Sequence, residues 1–109
     1  MNRKEIEKKM MDMGFAVANR GFGYIADVLE SIHQDGGVVL KMTATYAEIG
    51  KKNGVSKCAA ERCIRHEIGC YYNQQKIHPR LKAKGCIGGR YPNREFLSRL
   101  YHVIYDEEG

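Results

Sequence analysis

The sequence lacks several features that mark membrane, secreted and zinc-binding proteins. No run approaches the roughly 18 apolar residues that span a bilayer, and the charged start MNRKEIEKKMMDMG has no signal-peptide core. The four cysteines form no CxxC pair. Only two prolines occur, both late, and the one strand-like stretch is GVVLKMTATY at 37–46. We therefore expect a cytoplasmic chain with reduced thiols, built mainly from helices.

Patterns for catalysis are also lacking. Three of the four histidines have no Ser, Cys or carboxylate at a recognised catalytic spacing; these are His33, His78 and His102. The glycine-rich KGCIGGRYP at 84–92 lacks the Gly-Lys-Ser/Thr ending of a nucleotide-binding loop. The sequence therefore predicts a protein that is not an enzyme.

The cysteines leave one metal-binding alternative open. Cys63, His66 and Cys70 recur at steps of three and four residues, and Cys86 follows in a loop. Four such ligands can hold zinc. Small cysteines also commonly fill helical cores, and His66 is well placed beside a phosphate. We expect no metal and no cofactor.

The net charge of +5 is distributed unevenly. Residues 1–49 carry six Lys/Arg and seven Asp/Glu, whereas residues 50–99 carry twelve Lys/Arg and three Asp/Glu. The last ten residues carry three acidic residues and no basic one. A positive field concentrated in one half predicts a polyanionic partner, most simply nucleic acid. A basic surface that only maintains solubility is the alternative.

Apolar periodicity and capping residues predict a single all-α domain over 1–109. Gly14 is expected to end the first helix. Thr45 with Glu48 forms a possible capping box for the third helix. Ser56 and Asn93 are expected to cap the last two helices. The predicted helices span residues 3–13, about 22–34, about 46–53, about 57–74 and about 94–106.

Two of these helices have the dimensions of a helix-turn-helix. Ile49 on the shorter helix and Val55 in the turn are expected to point inward, and Gly50 permits a close crossing. An anchoring stripe on the longer helix should pack it onto the body; its residues are Ala60, Ile64, Ile68 and Tyr71. The opposite, reading face carries side chains spaced by three and four, namely Lys57, Cys58, Glu61, Arg62 and Arg65.

This pattern predicts that the longer helix enters the major groove of DNA. An arginine can fork onto the two acceptors of guanine, and a glutamate can accept from the amino group of cytosine. We expect base reading by Lys57, Cys58, Glu61 and Arg62. We expect contacts with the phosphate backbone from Lys51, Lys52, Arg65 and His66. Secondary contacts are expected from the glycine-rich loop, through Lys82, Lys84 and Arg90.

The stretch YAEIGKKNGVSKCAAERCIRHEIG resembles the C-terminal DNA-binding effector domain of the sporulation-initiation response regulator family. The most specific part is ERxIRHxI at 61–68. Support comes from IGKK at 49–52, PNREF at 92–96 and RGFGYIADVLESI at 20–32, and the likeness covers roughly residues 14–106. The resemblance implies about six helices around a central helix-turn-helix. It also implies sequence-specific binding to short promoter boxes, with a possible homodimer on tandem sites through the C-terminal helix.

Carried over by residue, the resemblance assigns base reading to Glu61 and Arg62, and places Arg65 and His66 near the backbone. Lys52 matches a basic position on the preceding helix. The family usually has a further base-reading arginine where this chain has Ala59, so the family's target box does not carry over to this chain. We expect residues 1–109 to contain no phospho-acceptor receiver domain, so the sequence is either a stand-alone relative of the family or the effector part alone.

Two other functions fit the same elements. The missing arginine at Ala59 and the acidic tail at 106–108 would suit an interaction module, which pairs with a full-length relative or another protein without strong DNA binding of its own. An RNA binder fits less well, because an A-form major groove does not admit a helix. Tyrosines 71, 72, 101 and 105 could stack on bases, but their helix faces favour core or dimer contacts.

Overall fold

A computed structural model describes residues 1–37, 41–74, 77–82 and 91–106. Within these ranges the chain forms five α-helices, one 3-10 turn and no strand, which confirms the all-α prediction. The α-helices are α1 Arg3–Met13, α2 Arg20–Gln34, α3 Met42–Asn53, α4 Lys57–Tyr72 and α5 Asn93–Asp106, and the 3-10 turn is Pro79–Leu81.

Local geometry confirms the predicted end of α1 at Gly14, the predicted end of α3 at residue 53 and the predicted cap of α4 at Ser56. Gly14 and Gly54 end α1 and α3 in the left-handed region, with φ of 101° and 72°. Glycine suits these positions because it has no Cβ to clash there. At the start of α4, the Ser56 hydroxyl oxygen accepts from the Ala59 backbone N–H at 3.0 Å. This bond supplies a partner that the first turn of a helix otherwise lacks.

The prediction for the start of α3 was wrong. The helix begins at Met42, so residues 42–46 of the strand-like stretch are helical, and residues 38–40 lie outside the described part of the chain. Thr45 is therefore inside the helix, where its hydroxyl donates to the Lys41 carbonyl oxygen at 3.0 Å, and it forms no capping box. Propensity of β-branched residues is a weak preference, which tertiary packing overrides.

The last helix also begins earlier than predicted, at Asn93 itself. Its side chain donates to groups on α3 and α4, at 3.4 Å in each case. Asn93 thus joins three helices. The position of this side chain shapes the candidate site described below.

The core lies around α2, which packs against each of the other four α-helices. The anchoring stripe is confirmed: Ala60, Ile64 and Ile68 are 0% exposed, and Tyr71 is 1% exposed. Each buried large apolar side chain contributes roughly 1.5–3 kcal/mol, so this stripe alone fixes which face of α4 is turned to the protein. Tyr71 stacks on Phe15 with ring centroids 4.3 Å apart, which confirms its core role.

Candidate nucleic-acid interface

The reading face lies opposite the anchoring stripe on α4. Lys57, Cys58, Arg62 and Arg65 are exposed, and Glu61 is half-buried. These five residues line one side of an open groove of about 400 Å³. Thr43 and Tyr46 of α3 line the other side. The sequence-predicted base-reading residues therefore come together on one concave, cation-rich surface.

Glu61 is a half-buried carboxylate that lines this groove. Asn93 of α5 donates one N–H to Glu61 Oε1 and another to the Tyr46 hydroxyl, each at 3.4 Å. Arg65 lies one turn further along α4, with its Nη1 3.7 Å from the same Oε1. Burial raises the pKa of Tyr46, and the negative charge of Glu61 adds to this shift. Tyr46 is therefore a neutral phenol at physiological pH, and Asn93 links its hydroxyl to the carboxylate of Glu61.

The two lysines at the end of α3 have different surroundings. Lys51 is exposed. Lys52 places its Nζ 3.0 Å from Asp27 Oδ1, while 60% of its side chain stays exposed and only 4% of Asp27's does. The sequence predicted that Lys52 contacts a phosphate of DNA. In the structure Lys52 binds the protein's own carboxylate on α2.

Asp27 is a buried carboxylate that holds α1, α2 and α3 together. Burial alone would raise its pKa, but hydrogen bonds from Arg3, Asn53 and Lys52 outweigh this and hold the pKa below its ordinary value. Asp27 is therefore ionised at neutral pH. Asn53 donates to Asp27 Oδ2 at 3.0 Å, so the C-terminal turn of α3 is fixed at two points.

A second concavity lies between α4 and the start of α2. Arg62, Cys63 and His66 form one wall, and residues 18–21 form the other. Arg20 in this segment is exposed, so a third helix adds a cation beside the reading face. Sequence reasoning missed Arg20, although the RGFG motif at 20–23 marked the helix on which it lies.

Glu67 anchors this side of α4. It is 0% exposed, and Asn19 donates to its Oε1 at 2.8 Å. Within the described ranges its Oε2 has no hydrogen-bond partner. Burial raises the pKa of Glu67, although the Asn19 bond, the Ala16 backbone and the charge of His66 oppose the shift. Sequence reasoning missed this buried carboxyl, because Glu67 follows the basic residues and resembles one more charge on an exposed face.

Three expectations concern residues around the glycine-rich loop. Lys82 is exposed and follows the 3-10 turn, whose Leu81 is fully buried. Lys84 and Arg90 lie outside the described residues, as does Cys86.

The metal-binding alternative concerned Cys63, His66, Cys70 and Cys86. Cys70 Sγ lies 3.5 Å from His66 Nε2, and no group of three potential metal ligands occurs within the part of the chain that the structure describes.

His33 and His102 contact other side chains of the protein. His33 Nδ1 lies 2.9 Å from the Tyr101 hydroxyl, and the His33 ring stacks on Tyr105 at 4.6 Å. His102 lies 3.6 Å from Asp106 on α5. Tyr101 is 8% exposed, so it belongs to the core.

None of the helices in the described ranges is long and apolar enough to cross a membrane.

Residues 6–104 match the protein family described as Sporulation initiation factor Spo0A C terminal. No curated protein matches the chain significantly. The family consists of DNA-binding regulators of transcription and is not a catalytic family. The matched range contains α2, α3, α4 and the reading face, together with most of α1 and α5.

Proposed function

This chain belongs to the family of C-terminal domains of the sporulation initiation factor Spo0A, and from that premise we propose that it binds double-stranded DNA in a sequence-specific manner. It would act as a regulator of transcription in the cytoplasm, where bacterial promoters lie. The observation that carries the proposal is the division of α4 into a buried apolar stripe and an exposed, cation-rich face.

The N-terminal half of α4 is the element that would enter the major groove, which is about 12 Å wide and admits a helix. Arg62 is exposed between the two concavities, so its guanidinium can fork onto the N7 and O6 acceptors of guanine. Glu61 can accept from the amino group of cytosine. Lys57 and Cys58 begin the helix and would contact the bases at the end of the box.

Contacts with phosphates would supply most of the affinity. Lys51, Arg65 and His66 are exposed around the reading face. Lys52 would share its charge between Asp27 and a phosphate. We add Arg20 to this set because it lies beside Arg62 and His66 on the second concavity. Lys82 and, beyond the described residues, Lys84 and Arg90 would make secondary contacts.

Pairing of two protomers on tandem boxes would use the outer side of α5. The apolar side of this helix is buried in the protein's own core, including Phe96, Leu100 and Ile104. The exposed side is polar and carries Glu95 and Arg99. A dimer contact there would be small, polar and dependent on DNA to bring the protomers together.

The interaction-module alternative draws support from the ion pairs of Lys52 and Arg65 with the protein's own carboxylates. These pairs reduce the positive charge available to a duplex. The alternative predicts little binding to any DNA.

The test is selection of preferred sequences from a random duplex library, followed by binding measurements on the selected and a scrambled duplex at low salt. We expect enrichment of a short recurring box and tighter binding to it than to the scrambled sequence. Absence of both enrichment and low-salt binding would contradict DNA recognition and favour the interaction module.

A further inference from the structure

The ends of three helices meet at Glu61. Asn93, the first residue of α5, donates to Glu61 Oε1 on α4 and to the Tyr46 hydroxyl on α3. Arg65 also approaches Oε1, at 3.7 Å. In the described part of the chain both contacts with Glu61 use Oε1. The second carboxylate oxygen, Oε2, is left for another donor.

The chemistry of this junction limits how Glu61 can be oriented. An asparagine amide has two N–H donors on one nitrogen, and here each N–H has an acceptor. A glutamate on a helix surface otherwise moves among several rotamers, and fixing such a side chain costs about 1–2 kcal/mol of conformational free energy. The hydrogen bond from Asn93 restricts the carboxylate before any ligand arrives, so part of this entropy is already lost in the unbound protein.

We propose that Asn93 is the positioning residue for sequence readout by Glu61. By holding Oε1, it presents Oε2 to the amino group of a cytosine in the major groove, the donor that a carboxylate reads. Tyr46 is the second support, since its hydroxyl holds the other N–H of Asn93. This inference rests on the proposed function, because it concerns how the reading face discriminates between base pairs.

The test compares wild type with Asn93→Ala on the selected box, on duplexes in which each base pair is changed in turn, and on random duplex. We expect discrimination to fall by about fivefold or more at one base pair, within the range that a single wrong pair usually costs. Affinity for random duplex and its salt dependence should stay at wild-type values, because the substitution removes no charge. Ser98→Ala, five residues further along α5, is the matched control and should leave discrimination intact.

A double-mutant comparison separates positioning from a purely structural role. Glu61→Ala alone should lose the same discrimination, and adding Asn93→Ala to it should change nothing further. Equal and additive losses would overturn the inference, because Asn93 would then act independently of Glu61. If Asn93→Ala does not fold, Tyr46→Phe tests the same support, with a smaller loss expected at the same base pair.

The outcomes distinguish this inference from the proposed function. A wild-type protein without any sequence preference would defeat the proposed function, and the inference with it. A wild-type protein that discriminates, together with a folded Asn93→Ala variant that discriminates equally at every position, would overturn the inference alone.

Discussion

Gly50 lies where α3 packs closely against the turn that leads into α4. A Cβ on Gly50 would lie 2.5 Å from the Val55 carbonyl oxygen and 3.0 Å from the Ser56 carbonyl carbon. Both are backbone atoms, so neither can move without displacing the start of α4. We expect Gly50→Ala to lower the free energy of unfolding by about 1–3 kcal/mol, measured by urea denaturation.

Gly23 provides a matched control for that substitution. It also lies within a helix, but a Cβ on Gly23 would have Arg3 Nη2 as its nearest neighbour at 3.9 Å, an ordinary contact. Gly23→Ala should raise stability by about 0.5–1 kcal/mol, because alanine loses less backbone entropy in a helix. Equal effects of the two substitutions would show that the close contact at Gly50 has no energetic consequence.

Lys51 and Lys52 are adjacent in sequence but differ in what they bind. Lys51→Ala should weaken DNA binding and reduce the steepness of its salt dependence by about one, with little effect on unfolding. Lys52→Ala should also lower stability at neutral pH, since it leaves the buried Asp27 with one partner fewer. Binding isotherms at several salt concentrations and urea denaturation of both variants check this. Identical unfolding midpoints would contradict the structural role of Lys52.

At the residue scale, the sequence predicted which side of a helix is buried and which is exposed, but it did not predict which distant side chains contact each other. Spacing by three and four residues was enough to separate the anchoring stripe from the reading face. It could not predict the contacts of Asn93 with Tyr46 and Glu61, which join residues 47 and 32 positions apart. Asparagine is preferred at helix starts, so the sequence predicted that Asn93 caps its own helix. In the structure its side chain donates to Tyr46 and Glu61, which are distant in sequence.

At the scale of elements, the crossing of α2 and α4 depends on the absence of a side chain at Gly21. A Cβ there would lie 2.2 Å from the Cys63 carbonyl oxygen. Glu67 is enclosed at this crossing with Asn19 as its donor. The sequence marked both helices, but it did not indicate that an ionisable group would be buried between them.

This burial predicts a pH dependence of stability on the basic side of the ordinary carboxyl range. The pKa of Glu67 is raised in the folded protein, so the folded state binds more protons than the unfolded state in that range. The contribution of Glu67 to stability should therefore be largest below the ordinary carboxyl pKa and should fall as pH rises through the raised pKa. We expect Glu67→Gln, which stays neutral and keeps an acceptor for Asn19, to remove this fall.

Asp27 gives the opposite sign in a different window. Its folded-state pKa is lowered, so its contribution to stability is present above the ordinary carboxyl pKa and is lost as the pH falls through the folded-state pKa.

The Glu67 prediction is checked against this background. Urea midpoints of wild type and Glu67→Gln across pH 4 to 8 isolate the contribution of Glu67 as a difference, because both proteins keep Asp27. Parallel curves for the two proteins would contradict the assignment.

The start of α3 shows where prediction from the sequence failed for one helix. Val38, Val39, Thr43 and Thr45 favour extended structure by propensity, so the stretch 37–46 looks strand-like and the helix was expected to begin only at about residue 46. In the structure Thr43 is exposed, and Thr45 bonds within the helix. The packing of α3 on α4 and α2 stabilises the helix, and it outweighs the few tenths of a kcal/mol per residue that propensity supplies.

At the scale of the whole molecule, the positive charge lies in the half of the chain that contains α4. The balance over residues 50–99 is twelve Lys/Arg against three Asp/Glu. Composition alone predicted a polyanionic partner, and the family match agrees with it. Composition could not show that some of these cations bind the protein's own carboxylates, because that depends on the three-dimensional positions of Asp27 and Glu61.

The distribution of charge predicts a strong salt dependence of DNA binding. If about four to six phosphates are neutralised, the logarithm of the binding constant should fall with the logarithm of salt concentration at a slope of roughly −4 to −5. Fluorescence anisotropy on the selected duplex at several salt concentrations measures this slope. A slope near −1 would show that the cations around the reading face do not contact the backbone.

The most direct measurement of the central claim is the binding of Arg62→Ala to the selected box and to random duplex, beside wild type. Lys8→Ala is the control, since it removes one exposed charge from α1, which does not carry the reading face. We expect Arg62→Ala to lose about 1–3 kcal/mol of binding free energy on the selected box and to discriminate less well, while Lys8→Ala behaves as wild type. Binding of Arg62→Ala to both duplexes with wild-type affinity would contradict the assignment of α4 as the recognition helix.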